Sequence, residues 1–326
     1  MDLQKQLTKH LTDVHSIEEQ ALQQMLLAPR MARDPELARA FRLHQDETRD
    51  QRQRVRARLE ARSAEPSRAK DIAGRAGGIG MVLFARSQPD MPGKLVAHAY
   101  SYEHMEMAAY DLLAQVADRA GDHETAEMAR SIREQEATMA KRLEDNLDRA
   151  AEAALREVDP DDLDEQLNKY LRDAHAVEAQ ALQLLSQGAA LANDADLRKT
   201  FENHLEETRS QQEAVRARLE ARDTGPSRVK DVLLRVGGLN IGGFFGAQPD
   251  TPVKLAGFAF AFEHLEVASY ELLRRVAERA GDQETARVAE RIIGDERAAA
   301  AQFRARFDSA LDTTRAAAPR TQPRSA

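Results

Sequence analysis

Residues 102–113 read YEHMEMAAYDLL, and residues 262–273 read FEHLEVASYELL. Each stretch carries two glutamates three apart, Glu103 with Glu106 and Glu263 with Glu266. Residues three apart share one face of a helix. In the first stretch that face continues through Leu95, Ala99, Tyr102, Ala109 and Leu113, an apolar stripe that should face a core. A helix is therefore expected to carry two carboxylates inward, and to do so twice.

The likeness extends outward from this helix at a constant offset of 160 residues. LTKHLTDVHSIEEQALQQM (7–25) falls on LNKYLRDAHAVEAQALQLL (167–185), and FRLHQDETR (41–49) on FENHLEETR (201–209). SQPDMPGKL (87–95) falls on AQPDTPVKL (247–255). The period is too long for a solenoid and marks a whole domain written twice. The copies are expected at 1–155 and 156–312, with a break near Asp159-Pro160. A disordered tail is expected over 313–326, where AAAPRTQPRSA lacks apolar pattern.

Each copy reads as four helices, over about 3–31, 35–62, 92–120 and 122–150 in the first. Asp34-Pro35 is an N-cap followed by proline at the first helical position, and Gly121-Asp122 gives a helix-ending glycine and a new N-cap. The first two helices, and the last two, are joined by short turns and so form antiparallel hairpins. About 30 residues join the hairpins, enough to cross the length of a helix. The fold class expected is all-α: two tandem four-helix bundles, each a hairpin, a long crossover and a second hairpin. That connectivity is ferritin-like.

Composition agrees. Aromatic residues make up 5% of the 326-residue chain, with no Trp, while Ala, Leu, Glu, Arg and Gln are abundant, as suits helices and not sandwiches or barrels. The net charge is −8, which argues against a general nucleic-acid or anionic-membrane binder. The absence of cysteine excludes disulfides, thiolate metal ligands and a cysteine nucleophile. No apolar run is long enough to span a membrane, and MDLQKQLTKHL has no export-signal character, so the cytoplasm is expected.

The inward stripes break at their centres. The first helix runs Leu7, Leu11, Val14, Glu18, Ala21, Met25, and the second Leu37, Phe41, His44, Glu47, Gln51, Val55, Leu59. The fourth runs Ala129, Ile132, Glu136, Met139, Leu143. Counted from the turns, Glu18 and Glu47 lie about 16 and 13 residues away, and Glu106 and Glu136 about 15 and 14, so all four reach one level to within about a helical turn. A buried, unpaired carboxylate is costly. Two divalent cations would bring +4 against five carboxylates, and an oxygen-rich donor set with one imidazole suits iron, with manganese as the second choice. The expected dinuclear ligands are Glu18, His44, Glu47, Glu103, Glu106 and Glu136, and in the second copy Glu178, His204, Glu207, Glu263, Glu266 and Glu296.

Other groups receive structural readings. His104 should point away from its neighbouring glutamates, and His15 sits off the seam. Tyr110, four residues after Glu106, could bond that carboxylate. The basic runs at 49–62 and 209–222 read as solvated helix faces, and the glycine-rich stretches at 74–80 and 235–246 as crossover segments.

Taken together, EHMEMAAY and EHLEVASY, HQDET and HLEET, and IEEQAL and VEAQAL resemble the motifs of the YciE/YciF-type ferritin-like family. The resemblance covers nearly all of 3–150 and 163–310. It implies a ferritin-like bundle, a di-iron site, oligomerisation and a role in stress protection, and it supports Glu18, Glu47, Glu103, Glu106, Glu136 and their counterparts at +160. One departure stands out: di-iron oxidases use Glu-x-x-His on the second and fourth helices, whereas the second helix here carries the reverse, His44-x-x-Glu47, and the fourth carries no histidine near Glu136. The expected function is oxidation of ferrous iron by peroxide or O₂ at one dinuclear site per repeat. The alternative is a structural or interaction bundle keeping a vestigial site. Metal ions are the expected partners, and the two halves are expected to pack as a pseudo-dimer, with further self-assembly left open.

Overall fold

A computed structural model describes residues 2–68, 70–72, 90–192, 194–227 and 251–316. Among them the regular structure is helical, and two tandem helical bundles account for it. The first repeat contains α1 (Leu3–Met25), α2 (Ala28–Met31), α3 (Pro35–Ala61), α4 (Met91–Arg119), α5 (His123–Asp145) and α6 (Leu147–Leu155). The second contains α7 (Leu163–Leu191), α8 (Ala195–Glu220), α9 (Thr251–Arg279), α10 (Gln283–Arg304) and α11 (Phe307–Ala316). Both glycine-rich stretches, and with them the greater part of each expected crossover, lie outside the described residues.

The turns form as the sequence dictates. Asp34 caps α3 by accepting from Glu36 N and Leu37 N at 2.9 and 3.0 Å. Gly121 and Gly281 adopt φ of 72° and 75°, where a side chain would be strained. Beyond each, the backbone N–H of Asp122 or Asp282 returns to Ala117 O or Ala277 O at 2.9 Å, the helix-ending bond that a left-handed residue permits.

The expected helices are broken at three places. Pro29 has no N–H to give to Met25, so the first helix stops at Met25 and restarts as α2, with the proline in its first turn. Ala189 stands at the matching position, and α7 runs unbroken. The last helix of each repeat also divides, between Asp145 and Leu147 and between Arg304 and Phe307. The Asn146 side chain donates to Arg142 O at 2.8 Å at the first of these breaks. In the second repeat, α7 and α8 pack closely: a β-carbon at Gly188 would collide with the buried Phe201 ring.

The basic runs are only partly solvated. Arg58 and Arg62 fold back to Asp122 at 2.9 and 3.0 Å, with side chains 15% and 16% exposed. Arg218 and Arg222 do the same to Asp282. These four arginines tie the second helix of each repeat to the turn between its last two, a correction to the reading of a wet face.

The halves share one core. Val96, Ala97 and Tyr100 of α4 belong to the same apolar cluster as Leu272, Leu273 and Val276 of α9. The His104 and His264 rings stack at 3.5 Å, with an angle of 15° between their planes. Lys94 reaches Asp173 at 2.8 Å, and Lys254 reaches Asp13 at 2.8 Å. Arg119 reaches Asp312 at 3.1 Å, and Arg279 reaches Glu152 at 3.2 Å. Each contact maps onto its partner by the offset of 160, so a pseudo-two-fold axis passes between α4 and α9. The breaks after α5 and α10 serve this packing, since α6 lies against α9 and α11 against α4. Helix α11 continues to Ala316, beyond the expected start of the tail at 313, and 317–326 lie outside the described residues.

Candidate metal centre

Four helices of each repeat deliver polar side chains to the bundle centre. In the first, His44 of α3, Glu103 and Glu106 of α4 and Glu136 of α5 place one nitrogen and three carboxylate oxygens within 4.8 Å of one another. His204, Glu263, Glu266 and Glu296 repeat the arrangement in the second. All eight residues are at most 2% exposed. They are held there by helices buried along the same faces, with Leu37, Phe41 and Val55 above and below His44.

The remaining expected ligands fall in two other places. Glu18 and Glu178 are fully buried on the first helix of each repeat, outside the tight quartets. Each accepts a hydrogen bond on Oε1, from Tyr110 and Tyr270 respectively. Tyr110 thus serves Glu18 across the bundle and not Glu106 on its own helix. Glu47 and Glu207 lie behind the imidazoles: His44 Nδ1 is 3.1 Å from Glu47 Oε2, and His204 Nδ1 is 3.0 Å from Glu207 Oε2. Their side chains are 39% and 53% exposed. They fix ring orientation and leave Nε2 facing the cluster. His44 Nε2 lies 3.1 Å from Glu103 Oε2 and 3.6 Å from Glu136 Oε2; the matching distances for His204 are 2.8 Å to Glu263 and 3.1 Å to Glu296.

The electrostatics are those of an interior short of positive charge. Burial pushes the carboxyl of Glu18 up to about 8 against the opposing hydrogen bond from Tyr110, and Glu178 behaves alike. Burial, then the neighbouring carboxyls, hold Glu106, Glu136, Glu266 and Glu296 well above the carboxylate range, with His44 and His204 pulling Glu136 and Glu296 back. Burial opposes charge on the imidazoles, but Glu103 and Glu47 hold His44 well above its usual value, and Glu263 and Glu296 push His204 up to about 12. In the second repeat His204 draws Glu263 below the usual range despite burial. One imidazolium against four buried carboxyls forces protons onto the rest.

The donor atoms fit metal ions. Both oxygens of Glu106, Oε1 of Glu103 and Glu136, and Oε2 of Glu18 are buried with no partner among the described residues, while Oε2 of Glu103 and Glu136 face His44 Nε2. Both oxygens of Glu266, Oε1 of Glu296 and Oε2 of Glu178 are likewise orphaned in the second repeat. Buried polar atoms are nearly always satisfied, and a converging group of orphaned oxygens with one imidazole could hold metal ions.

Other histidines have other tasks. His15 Nδ1 is 3.2 Å from Asp71, off the cluster. His104 and His264 bond the carbonyls of Tyr100 and Phe260 at 2.8 and 2.7 Å and stack across the pseudo-two-fold axis. One contributor escaped the sequence reading. No cation sits on the inward stripes, yet Arg52 reaches in from the edge of α3 to Glu19 at 2.9 Å, and its charge acts on Glu18. The pairing of Glu19 and Arg52, replaced together by Ala179 and Gln212, was the available signal.

A family model described as "Domain of unknown function (DUF892)" matches residues 2–156 and 162–316, spanning both repeats. The chain belongs to the DUF892 family. Each DUF892 unit carries one His/Glu quartet, so the duplication copied the cluster with the fold. Among solved structures, a protein from Xanthomonas campestris pv. campestris str. ATCC 33913 is similar at 28% identity, over 47% of this chain and 96% of that one, with a TM-score of 0.40. No helix among the described residues of this DUF892 chain is long and apolar enough to cross a membrane.

Proposed function

We propose that each repeat is a ferritin-like unit binding a pair of metal ions, iron first and manganese second, and that the loaded protein oxidises ferrous iron with peroxide or O₂ as a protective activity. The observation that carries this reading is the quartet of buried donors with orphaned oxygens, present once per repeat. Glu103, Glu106 and Glu136, with Glu18 beside them, supply oxygens to hold and bridge the ions, and His44 Nε2 supplies the nitrogen donor; Glu178, His204, Glu263, Glu266 and Glu296 do so in the second repeat. Glu47 and Glu207 complete the expected set by reaching round from the imidazoles or by orienting them.

Iron supplies the electrons: two ferrous ions give one each to a peroxide, its O–O bond breaks, and two protons complete two waters. The carboxyls that hold protons without metal give them up as cations arrive. Anaerobic titration of metal-free protein with ferrous iron tests the reading, with about four ions per chain expected. Uptake below about two per repeat overturns the dinuclear site. Peroxide is then expected to produce ferric absorption. A melting temperature indifferent to iron would instead favour a structural bundle with a vestigial site.

A further inference from the structure

The two repeats differ on the face where the first helix meets the second. In the first, buried Glu19 of α1 accepts from Arg52 Nη1 of α3 at 2.9 Å, an ion pair that bridges the two helices. In the second, Ala179 and Gln212 occupy those positions, so both partners of the pair are absent. Between α7 and α8 there is a groove of about 470 Å³, lined among others by Ala179, Leu182, Gln183, Leu205, Arg209 and Gln212. Ala179 is the one buried residue of the lining, and it follows Glu178 directly in the chain. Leu205 follows His204 in the same way. The groove therefore lies over the α7–α8 seam, beside the backbone of Glu178 and His204, whose own side chains are buried on the inward side. Glu207, which holds His204 from outside, is 53% exposed, against 39% for Glu47.

We propose that this groove is the access path to the second repeat's metal site, and that the Glu19–Arg52 pair closes the same path in the first. One chain then holds two sites of the same ligand chemistry and different exchange rates, the second fast and the first slow. The inference rests on the reading that both clusters bind metal. The Arg209 guanidinium is paired with Glu206 and so does not present a bare charge to a passing cation. To leave the first site, an ion needs α1 and α3 to part, which breaks the Glu19–Arg52 ion pair; in the second, Ala179 and Gln212 cannot form that pair.

The test loads the full-length chain with Mn²⁺, mixes it with excess chelator and follows metal release. Two phases of equal amplitude are expected, about tenfold apart in rate, equivalent to about 1.4 kcal/mol of barrier. Glu106→Gln, which disables the first site, should leave the fast phase alone. The double variant Ala179→Glu/Gln212→Arg should slow the fast phase to the slow one. Glu19→Ala/Arg52→Gln should speed the slow phase to the fast one, and it keeps the test decisive if the closing pair fails to fold. Full metal uptake with a single release phase, or rates unmoved by both exchanges, overturns this inference and leaves the metal sites standing. No metal uptake at all overturns both.

Discussion

A buried carboxyl three residues from another, on a helix that also buries Val96, Leu113 and Val116, has two ways to persist: it keeps a proton or it meets a cation. Glu106 is the sharpest case, with both oxygens orphaned and its pKa held well up by burial and by Glu136. Glu106→Gln should lower metal uptake from about four ions to about two, while the metal-free melting temperature stays level or rises. Titration and calorimetry on one preparation check this; a large loss of metal-free stability would contradict it. Tyr110→Phe leaves Glu18 Oε1 without its donor, at a cost of about 1–3 kcal/mol, and should weaken metal binding about 10–100-fold without changing stoichiometry. The pH response has a definite sign. Glu18 and Glu178 titrate at about 8 in the fold, against 4.5 when exposed. Their stabilising contribution is complete below about 4.5 and lost as pH rises through about 8. Carboxylates held low, such as Asp282 at about 2, act only at more acid pH. The metal-free melting temperature should therefore fall from pH 5 to pH 8, and saturating Mn²⁺ should reverse the trend, because metal replaces the protons. A melt series in chelator that stays flat would refute the protonated cluster. At this scale Glu103, Glu106 and Glu136 were legible because spacing fixes the face of a regular helix. The division between His44 and Glu47 was not, because two residues three apart share a face and only packing decides which of them points in. Arg52 was invisible for a related reason: a long side chain at the edge of a stripe reaches a centre its Cα does not face.

The helices show where local rules suffice. Asp34, Gly121 and Asp122 were readable as punctuation because caps and left-handed glycines depend on the backbone within one turn. The breaks at Pro29 and Asn146 were not, since a helical stripe continues through both and the apolar pattern alone favours one long helix. Pro29 was the available clue; nothing local marks Asn146, where the chain turns to lay α6 on the other repeat. Asp122 does more than cap. Its carboxylate accepts from Thr125 N at 3.0 Å, from Arg58 at 2.9 Å and from Arg62 at 3.0 Å. Asp122→Ala removes a cap worth about 1 kcal/mol and takes the shared carboxylate from Arg58 and Arg62, which keep Glu124, Thr125 and Gln4 as partners, for about 2–3 kcal/mol in all. The melting temperature should drop by about 4–10 °C. Asp122→Asn keeps the cap and loses the charge, and about half that drop is expected. Equal melting of the two variants would show that the arginines contribute nothing.

On the scale of the whole molecule, the duplication was plain in the sequence, because an ungapped offset of 160 residues needs no structure to be seen. The way the halves join was not. His104, Lys94 and Asp13 look like ordinary helix residues until α4 and α9 are laid together, and only then do Lys94–Asp173 and Lys254–Asp13, each 2.8 Å, appear as one contact made twice. The shared core, with Tyr100 of one half beside Leu272 and Leu273 of the other, implies that the halves hold together without the covalent link. The link is the exposed short helix Pro160–Asp162, which contributes no buried residue. A protease site inserted there, and cut after folding, should give two fragments that still elute together at the size of the intact chain. The cut should also leave metal uptake unchanged, because every proposed ligand of each cluster comes from its own repeat. Mild cutting followed by size-exclusion chromatography checks both points. Separation into monomeric halves would mean that the pseudo-two-fold contacts are too weak to act as an interface, and that the linker, not the packing, keeps the two sites in one particle.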